Sequence, residues 1–600
     1  MLASATTFVL LVLSGLGPAS CALIGPSLQR CPADFQLVRR GQTISASEAH
    51  YIEQKREKVL PSAFKTYLHS VKGTGVQLPK YVEQILGSEA QLPTVGISTS
   101  GGGYRAAIFG AGVLNALDAR NSSAVKKGTG GLLQAATHLA GLSGGAWLVT
   151  SLAQANFPTI QHLVFGDGKA HDFSGWNPSV DLWTASADPA EQAVFVQEVL
   201  QEIAVKAKHF PVSVGDAWGR SLARHFTNGT TPATLLANTS HGAGILFSDL
   251  VNLPAFTSHE HPFPIMVADI ASKHINGTIF PGGNAIPLNS PMFEFNLFEM
   301  GCYDDVLAAH TPMKHLGTTN HSVCATGFDE AMFISGTSSN LWNELNITSD
   351  ILAAATANFS ALVNATYPQS PLLRLDTSNY PNPFLGVAPA TFSDAGETIL
   401  SLVDGGEDGQ VTPLQPMLVE GRAIDVIVAI DAVNDANNFA AGASLIATQE
   451  RMQLFPRGLA PFPAVPTSLD VFAAANLTAR PTFFGCTPSE YSSHTASVHS
   501  KTPPGPLLVY IANGAPPRDG SAPLTNTTTG QFVYAPDELQ GMLTQSFDVA
   551  TQGAFVDGAL EDPEWGACLA CAVVDRARAR EGVKRSGVCV GCFARYCWEG

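Results

Sequence analysis

A serine flanked by glycines is the residue of this chain best placed to act as a nucleophile. Ser143 lies in residues 141–145, Gly-Leu-Ser-Gly-Gly, between an apolar run and a helix-compatible run. The Gly-x-Ser-x-Gly pattern is typical of a sharp strand-to-helix turn that holds a serine hydroxyl clear of the backbone. Glycines permit the tight turn and the close approach of a substrate carbonyl. An ordinary βα turn uses the same residue types, so the pentapeptide alone leaves both interpretations open.

Three consecutive glycines precede this serine by about 40 residues. Residues 100–105 read Ser-Gly-Gly-Gly-Tyr-Arg, between a predicted buried strand at 93–98 and a predicted helix at 106–120. Backbone N–H groups of such a loop, together with a helix N-terminus, favour a developing negative charge. A plain glycine loop is the alternative. A phosphate-binding loop is a third, although the Lys-Ser/Thr of a P-loop is missing.

An aspartate at the end of an apolar segment supplies a candidate base. Asp404 follows Leu-Ser-Leu-Val at residues 400–403 and precedes two glycines. Carboxylates at strand ends of open α/β sheets lie where ligands bind. A helix cap or turn residue would have the same setting. Asp431, which ends the predicted strand at 424–430, is a second aspartate of this kind, and the glycines after Asp404 favour the first.

The three motifs together resemble one family. Ser-Gly-Gly-Gly-Tyr-Arg-Ala, Gly-Leu-Ser-Gly-Gly-Ala-Trp and Val-Asp-Gly-Gly-Glu-Asp-Gly, in this order, are similar to those of fungal phospholipase B. These secreted lysophospholipases have a catalytic module similar to that of cytosolic phospholipase A2. The resemblance extends from about Cys31 to the cysteine-rich end. Ala146 departs from the Ser or Thr often found before the tryptophan, and we expect no effect on the chemistry.

The resemblance implies a Ser–Asp dyad that works without a catalytic histidine. It assigns Ser143 as nucleophile and Asp404 as its base, with the amides of Gly102 and Gly103 as the oxyanion hole. The implied reaction is hydrolysis of acyl esters of (lyso)glycerophospholipids through an acyl-enzyme, giving a free fatty acid and a glycerophospho-alcohol.

The resemblance also implies the groups that bind substrate. Arg105 would hold the lipid phosphate, for which its planar fork of donors is suited, and Gly144 would contact the substrate. A surface helix residue in a salt bridge is the alternative interpretation of Arg105. No metal and no cofactor is required, and the sequence shows no Ca²⁺-loop motif.

Ser143 and Asp404 are far apart in the sequence but must reach one site, which predicts a single large catalytic domain over residues 23–600. The alternation of apolar strands and helices indicates an α/β fold with a central mixed β-sheet flanked by helices. Residues 156–390 are rich in Pro, Gly and Asn and are interpreted as a long, partly helical insertion with lid elements. A cysteine-rich segment, residues 568–597, ends the domain.

The amino-terminal segment and the glycosylation sequons indicate a secreted protein. Residues 1–22 have the short apolar run and small residues of a secretory signal. No other run is long enough to span a membrane, and no hydrophobic tail for a GPI anchor follows the cysteines, so we expect a secreted, extracellular protein. Ten Asn-x-Ser/Thr sequons predict surface loops that carry glycans: Asn121, Asn228, Asn238, Asn276, Asn320, Asn346, Asn358, Asn364, Asn476 and Asn526.

The ten cysteines fit an oxidising compartment. The Cys568-x2-Cys571 and Cys589-x2-Cys592 pairs have the spacing of a zinc ribbon. The signal and the sequons favour disulfides instead. Removal of the signal with Cys21 would leave nine cysteines and therefore one unpaired thiol.

Net charge limits the partners. A formal charge of −17 argues against nucleic acid and against long-range attraction to anionic membranes. The expected partner is a phospholipid or lysophospholipid, met through apolar contacts or taken as monomers and micelles. The sequence indicates no protein partner.

Two other functions fit parts of the sequence. In a Ser-His-Asp esterase of the α/β-hydrolase class, His494 or His499 would follow Asp404 in the required order. His138, on the segment that leads to Ser143, is interpreted as a packed or surface histidine. A catalytically silent surface glycoprotein fits the sequons and cysteines but does not explain the three ordered glycine motifs.

Overall fold

The computed structural model describes residues 24–88, 91–166, 175–227, 229–237, 239–281, 285–343, 374–487, 505–556 and 559–600. The predicted signal segment, both candidate histidines of the triad and five sequon asparagines lie outside these ranges: residues 1–22, His494, His499, Asn228, Asn238, Asn346, Asn358 and Asn364.

The described residues form fourteen β-strands: β1 Ser27–Arg30, β2 Arg39–Arg40, β3 Val95–Thr99, β4 Ala136–Gly141, β5 Phe263–Ile270, β6 Met292–Asn296, β7 Glu299–Cys302, β8 Ala309–Pro312, β9 Val323–Thr326, β10 Ser378–Pro381, β11 Ile399–Asp404, β12 Val426–Asp431, β13 Thr482–Phe484 and β14 Leu507–Ala512.

The same residues form nineteen α-helices: α1 Ala46–Lys58, α2 Leu60–Gly73, α3 Lys80–Gly87, α4 Gly103–Leu117, α5 Ser122–Lys126, α6 Leu132–Ala135, α7 Gly144–Gln154, α8 Ile160–Phe165, α9 Pro189–Lys206, α10 Val214–Phe226, α11 Pro254–Thr257, α12 Ala331–Thr337, α13 Gln415–Leu418, α14 Ala443–Leu454, α15 Leu469–Ala474, α16 Pro536–Gln552, α17 Trp565–Val573, α18 Asp575–Arg580 and α19 Val588–Tyr596. None of them is long and apolar enough to cross a bilayer.

A twelve-stranded mixed sheet forms the centre of the fold, as predicted. Its core is parallel, in the order β14-β12-β3-β4-β5. Strand β13 is antiparallel at one edge, and β6, β7, β8 and β2 extend the sheet beyond β5. Because the core strands are buried on both faces, they are near-continuous apolar runs, such as Val-Ile-Val-Ala-Ile in β12.

Two strands share one edge of β5 and meet end to end. Strand β4 is parallel to β5 and its last residue, Gly141, lies opposite Met266. Strand β11 is antiparallel to β5 and its last residue, Asp404, lies opposite Ala268. Since β6 occupies the other edge of β5, the carboxyl ends of β4 and β11 face each other, and only Val267 of β5 lies between their partners.

Helix α4 is buried within the domain rather than on its surface. All of its residues except Asn115 are buried, and it packs against α16 and α7. A helix that is apolar on every side must be enclosed by protein. Glycine makes the approach possible, because a β-carbon on Gly112 would lie 2.4 Å from Ser546 Cβ. The tightly packed α4 thereby fixes the glycine loop that precedes it.

The stretch interpreted as an insertion is part of the central sheet. Strands β5 to β8 lie within residues 156–390, and β5 pairs directly with β4. Helices α9 and α10 belong to the same stretch. The interpretation of these residues as a layer over the core therefore needs correction: the high Pro, Gly and Asn content of the connections obscured the strands between them.

Four disulfides cross-link the described chain. Cys568 pairs with Cys592 and Cys571 pairs with Cys589, which confirms disulfides within the cysteine-rich segment. The remaining pairs are Cys31–Cys324 and Cys486–Cys597. Cys302 is a buried free thiol.

Candidate active site

Ser143 occupies a strained turn between β4 and α7. Its backbone has φ 51° and ψ −119°. Residues other than glycine rarely adopt this conformation, which costs about 1–3 kcal/mol. The Ser143 N–H donates to the carbonyl of Ser338 at 3.1 Å. That contact holds the turn, which leaves the hydroxyl at the end of the strand as the Gly-x-Ser-x-Gly pattern predicts.

The glycine loop after β3 packs against this turn. A β-carbon on Gly144 would lie 2.0 Å from Gly103 O, and one on Gly101 would lie 3.0 Å from Ser143 Cβ. Only residues without side chains permit this approach. Gly102 and Gly103 have φ values of 130° and 62°, and their N–H groups donate to no group of the described chain.

Asp404 ends β11, whose carboxyl end faces that of β4 on the edge of β5. Its N–H donates to Asn340 O at 3.0 Å, and its Oδ1 accepts a hydrogen bond from Gly406 N–H at 2.8 Å. The side chain is buried, with 3 % exposed, and Ser143 has 5 % exposed. The glycine at 406 keeps this contact unstrained, because a β-carbon there would lie 3.2 Å from Asp404 Oδ1.

One short segment supports both residues. Ser338 and Asn340 follow α12, and their carbonyls accept from the N–H groups of Ser143 and Asp404 respectively. Together with the shared edge of β5, this segment brings the two residues to one site. Residues 338–340 read Ser-Ser-Asn and form no recognisable motif, so this support has no signal in the sequence.

Arg105 lies beside the glycine loop but is covered. Its Nε donates to Ala432 O at 2.9 Å, and its Nη groups donate to Thr527 O at 2.5 Å and to Thr529 Oγ1 at 3.2 Å. No carboxylate of the described chain forms an ion pair with it, and burial lowers the pKa of Arg105 to about 10. The alternative interpretation, a surface residue in a salt bridge, is therefore wrong.

Residues 527–529 also cover the glycine loop. A β-carbon on Gly103 would lie 2.6 Å from Thr529 O. A phosphate can reach the guanidinium of Arg105 only if this segment gives up its two contacts. The carbonyl of Thr527 and the hydroxyl of Thr529 accept from the same guanidinium N–H groups that would donate to phosphate oxygens.

The second candidate aspartate, Asp431, is placed beside Arg105 rather than beside Ser143. It ends β12, which β3 separates from β4, and it accepts a hydrogen bond from the Tyr510 hydroxyl at 2.6 Å. Burial and the nearby Asp435 raise the pKa of Asp431.

The described histidines do not complete a triad with Ser143, because none of them hydrogen-bonds to it. His138 is a packed residue in β4, as interpreted. Its Nδ1 lies 2.9 Å from Thr137 Oγ1 and its Nε2 lies 3.5 Å from Glu48 Oε1. Burial lowers the pKa of His138.

The described sequon asparagines are accessible at the surface. Asn276, Asn320 and Asn476 are exposed, while Asn121 and Asn526 are partly exposed. These positions agree with the prediction that the sequons lie in surface loops. Asn526 directly precedes the segment that covers Arg105.

Comparisons with known proteins find relatives that match most of the chain. A family model described as lysophospholipase catalytic domain matches residues 95–600. Lysophospholipase 1 of Aspergillus fumigatus is 33% identical over 596 residues, which cover 96% of this chain and 87% of that protein. Lysophospholipase 1 of Saccharomyces cerevisiae is 34% identical over 602 residues, with 96% and 83% covered.

A solved structure has the same fold. Human GIVD cytosolic phospholipase A2 superposes with a TM-score of 0.61 at 17% identity, covering 93% of this chain and 70% of that one. At this identity the likeness concerns the arrangement of helices and strands alone.

Proposed function

The chain belongs to the lysophospholipase family of carboxylic ester hydrolases, and on that premise we propose that it hydrolyses acyl esters of (lyso)glycerophospholipids with Ser143 and Asp404. One observation carries this assignment: β4 and β11 meet end to end on β5 and deliver a serine and an aspartate to one point. The strained turn at Ser143 supports it.

In the proposed reaction, Ser143 Oγ attacks the acyl carbonyl carbon while Asp404 takes the hydroxyl proton. The tetrahedral intermediate then expels the glycerophospho-alcohol, which receives that proton, and leaves an acyl-serine. Water attacks the acyl-serine while Asp404 again takes a proton, and Asp404 returns that proton to Ser143 Oγ as the fatty acid leaves. A buried carboxylate is a better base than one in water, because burial favours its protonated form.

The oxyanion of each intermediate requires hydrogen-bond donors. The N–H groups of Gly102 and Gly103 are available, since they donate to no described group and belong to the start of α4. Donors fixed in this way are typically worth about 3 kcal/mol each. The contact between Gly144 and Gly103 sets their distance from Ser143.

Arg105 is proposed as the phosphate ligand. It is a buried cation with no carboxylate partner in the described chain, next to the proposed oxyanion hole. An uncompensated buried charge is unfavourable, and the phosphate of a lipid would supply the missing anion. In this proposal the segment 527–529 moves aside when the substrate binds.

We also propose that the protein is secreted and glycosylated. The four disulfides and the accessible sequon asparagines support this compartment. Digestion with an endoglycosidase should lower the apparent mass of the protein from its native source. An unchanged mass would contradict glycosylation.

The base is tested by comparing Ser143→Ala, Asp404→Asn, His494→Ala and His499→Ala, each checked for folding. We expect Ser143→Ala and Asp404→Asn to lower kcat/KM on lysophosphatidylcholine by at least on the order of a thousandfold. Both histidine variants should remain within a few-fold of the parent. An inactive histidine variant beside an active Asp404→Asn would establish a Ser-His-Asp triad instead. A fluorophosphonate should label the parent at Ser143 and leave Ser143→Ala unlabelled.

A further inference from the structure

Four aromatic side chains form a continuous cluster beside residues 338–340, the segment that supports Ser143. We call this cluster the aromatic wall: Trp183, Trp218, Trp342 and Phe532. The rings of Trp183 and Trp218 are stacked, with centroids 5.3 Å apart. Trp342 stands edge-on to both, at 5.1 and 5.7 Å. Phe532 contacts Trp218 at 6.3 Å.

The aromatic wall is fixed to the turn that carries the nucleophile. The indole N–H of Trp218 and that of Trp147 both donate to Ser339 Oγ at 2.9 Å. The neighbouring residue, Ser338, accepts the hydrogen bond from Ser143 N–H. Trp147 belongs to α7, which begins directly after Ser143. A shift of the wall would therefore move the supports of the nucleophile.

One side of the wall is accessible. Trp218 is buried, with 4 % exposed, whereas Trp183, Trp342 and Phe532 are partly exposed. The indole nitrogens of Trp183 and Trp342 have no hydrogen-bond partner in the described chain. Large aromatic rings that are packed together but partly exposed provide apolar surface that a ligand can cover.

The chain segment that covers the glycine loop contacts both Arg105 and the wall. Phe532 belongs to the same chain segment as Thr529, whose carbonyl covers Gly103, and Arg105 bonds to Thr527 and Thr529. A lysophospholipid has an ester carbonyl between a charged headgroup and an apolar chain. With the carbonyl at Ser143 and the phosphate at Arg105, the acyl chain requires an apolar surface that begins at the nucleophile.

We infer that the aromatic wall binds the acyl chain of the substrate and sets the preference for chain length. This inference rests on the proposed role of Ser143. Each methylene group that the wall removes from water is worth about a fourfold gain in kcat/KM, until the chain extends past the wall. The rings of Trp342 and Trp183, as the accessible members, make the largest contribution.

The test measures kcat/KM for Trp342→Ala and Trp183→Ala on p-nitrophenyl acetate and on monomeric lysophosphatidylcholines with acyl chains of increasing length. We expect the parent to gain activity with each added pair of carbons and both variants to gain much less. For the longest monomeric substrate, the loss in each variant should exceed its loss on the acetate ester at least tenfold. Trp342→Phe should restore most of the dependence on chain length.

Two further variants separate the possible outcomes. Phe555→Ala, at an exposed ring that stacks on Arg518, is the control for loss of an aromatic side chain and should keep the parent's profile. An unchanged slope in Trp342→Ala, or equal losses on acetate and on long-chain substrate, would overturn the assignment of the wall. Retained activity of Ser143→Ala would instead overturn the proposed function, whatever the slopes.

Discussion

Two arginines buried in this protein, Arg105 and Arg422, differ in their partners. Arg422 Nε donates to Glu48 Oε1 at 2.7 Å, and its Nη2 lies 2.9 Å from Glu294 Oε2. Burial lowers the pKa of Arg422, but Glu294 and Glu48 outweigh it, so that the pKa is raised well above its ordinary value. Arg105 is bound by neutral oxygens alone, and burial lowers its pKa to about 10.

The difference separates a charge that is balanced within the fold from one that we propose binds substrate. Arg422 joins α1 to β6 through two carboxylates, so its charge is compensated within the fold. Arg105 lies beside the glycine loop that packs against the Ser143 turn, and no described carboxylate forms a direct ion pair with it. Of these two arginines, Arg105 is therefore the better candidate for binding an anionic substrate.

The largest expected effect is on stability, from Arg422→Met. The substitution leaves Glu48 and Glu294 buried without their cation, which typically costs about 3–5 kcal/mol. Arg105→Met is the matched variant: it leaves no carboxylate without a direct partner, so its cost should stay below about 1 kcal/mol. Urea unfolding of both proteins measures the free energies. Equal losses would show that the two arginines play the same role.

The next effect is on substrate choice, from Arg105→Lys. A lysine cannot bind two phosphate oxygens with a planar fork, so kcat/KM on lysophosphatidylcholine should fall about 10–100-fold. Monoacylglycerol with the same acyl chain has no phosphate and should be affected less than threefold. A similar loss on both substrates would indicate that Arg105 positions the glycine loop and does not bind phosphate.

The smallest expected effect is a pH dependence of stability that arises from Arg422 and its partner Glu48. Burial favours the neutral acid, but Arg422 and His138 hold the pKa of Glu48 at about 2, below its ordinary value of 4.5. Since the folded pKa is depressed, the stabilisation is present above pH 4.5 and is lost as pH falls towards 2. The slope should be about 1.4 kcal/mol per pH unit within that window.

Unfolding free energies of the parent and of Glu48→Gln between pH 6 and pH 3.5 measure this slope. The variant should lose the contribution of Glu48 to the pH dependence. Arg105→Met should retain it, because that arginine has no carboxylate partner. A parallel profile for Glu48→Gln would mean that another group causes the acid sensitivity.

The parts of the fold that could be predicted have local signals. Strands β3, β12 and β14 are short apolar runs, and the turn at Ser143 is specified by glycines next to it in sequence. Strand β5 could not be recognised among proline- and glycine-rich connections, although it positions both Ser143 and Asp404. Its pairing with β4 and β11 depends on contacts between segments that are distant in the sequence. The strand propensity of a short stretch does not predict such contacts.

In the candidate site too, only residues with a local sequence signal could be predicted. The motifs around Ser143, Gly102 and Asp404 mark residues whose backbone conformation is demanding, and the structure places them together. The support from Ser338 and Asn340 consists of carbonyl groups, which every residue type has. Residues 527–529 cover Arg105 through the main-chain oxygen of Thr527 and the hydroxyl of Thr529. Neither contact belongs to a side-chain pattern that could be recognised in the sequence.

The end-to-end meeting of β4 and β11 has a consequence for the synthesis of the protein. Ser143 and its glycine loop leave the ribosome long before Asp404, and the two can share β5 only after β11 has been synthesised. We therefore expect the growing chain to lack esterase activity until this pairing has formed. Activity would appear late in folding, after long-range strand pairing.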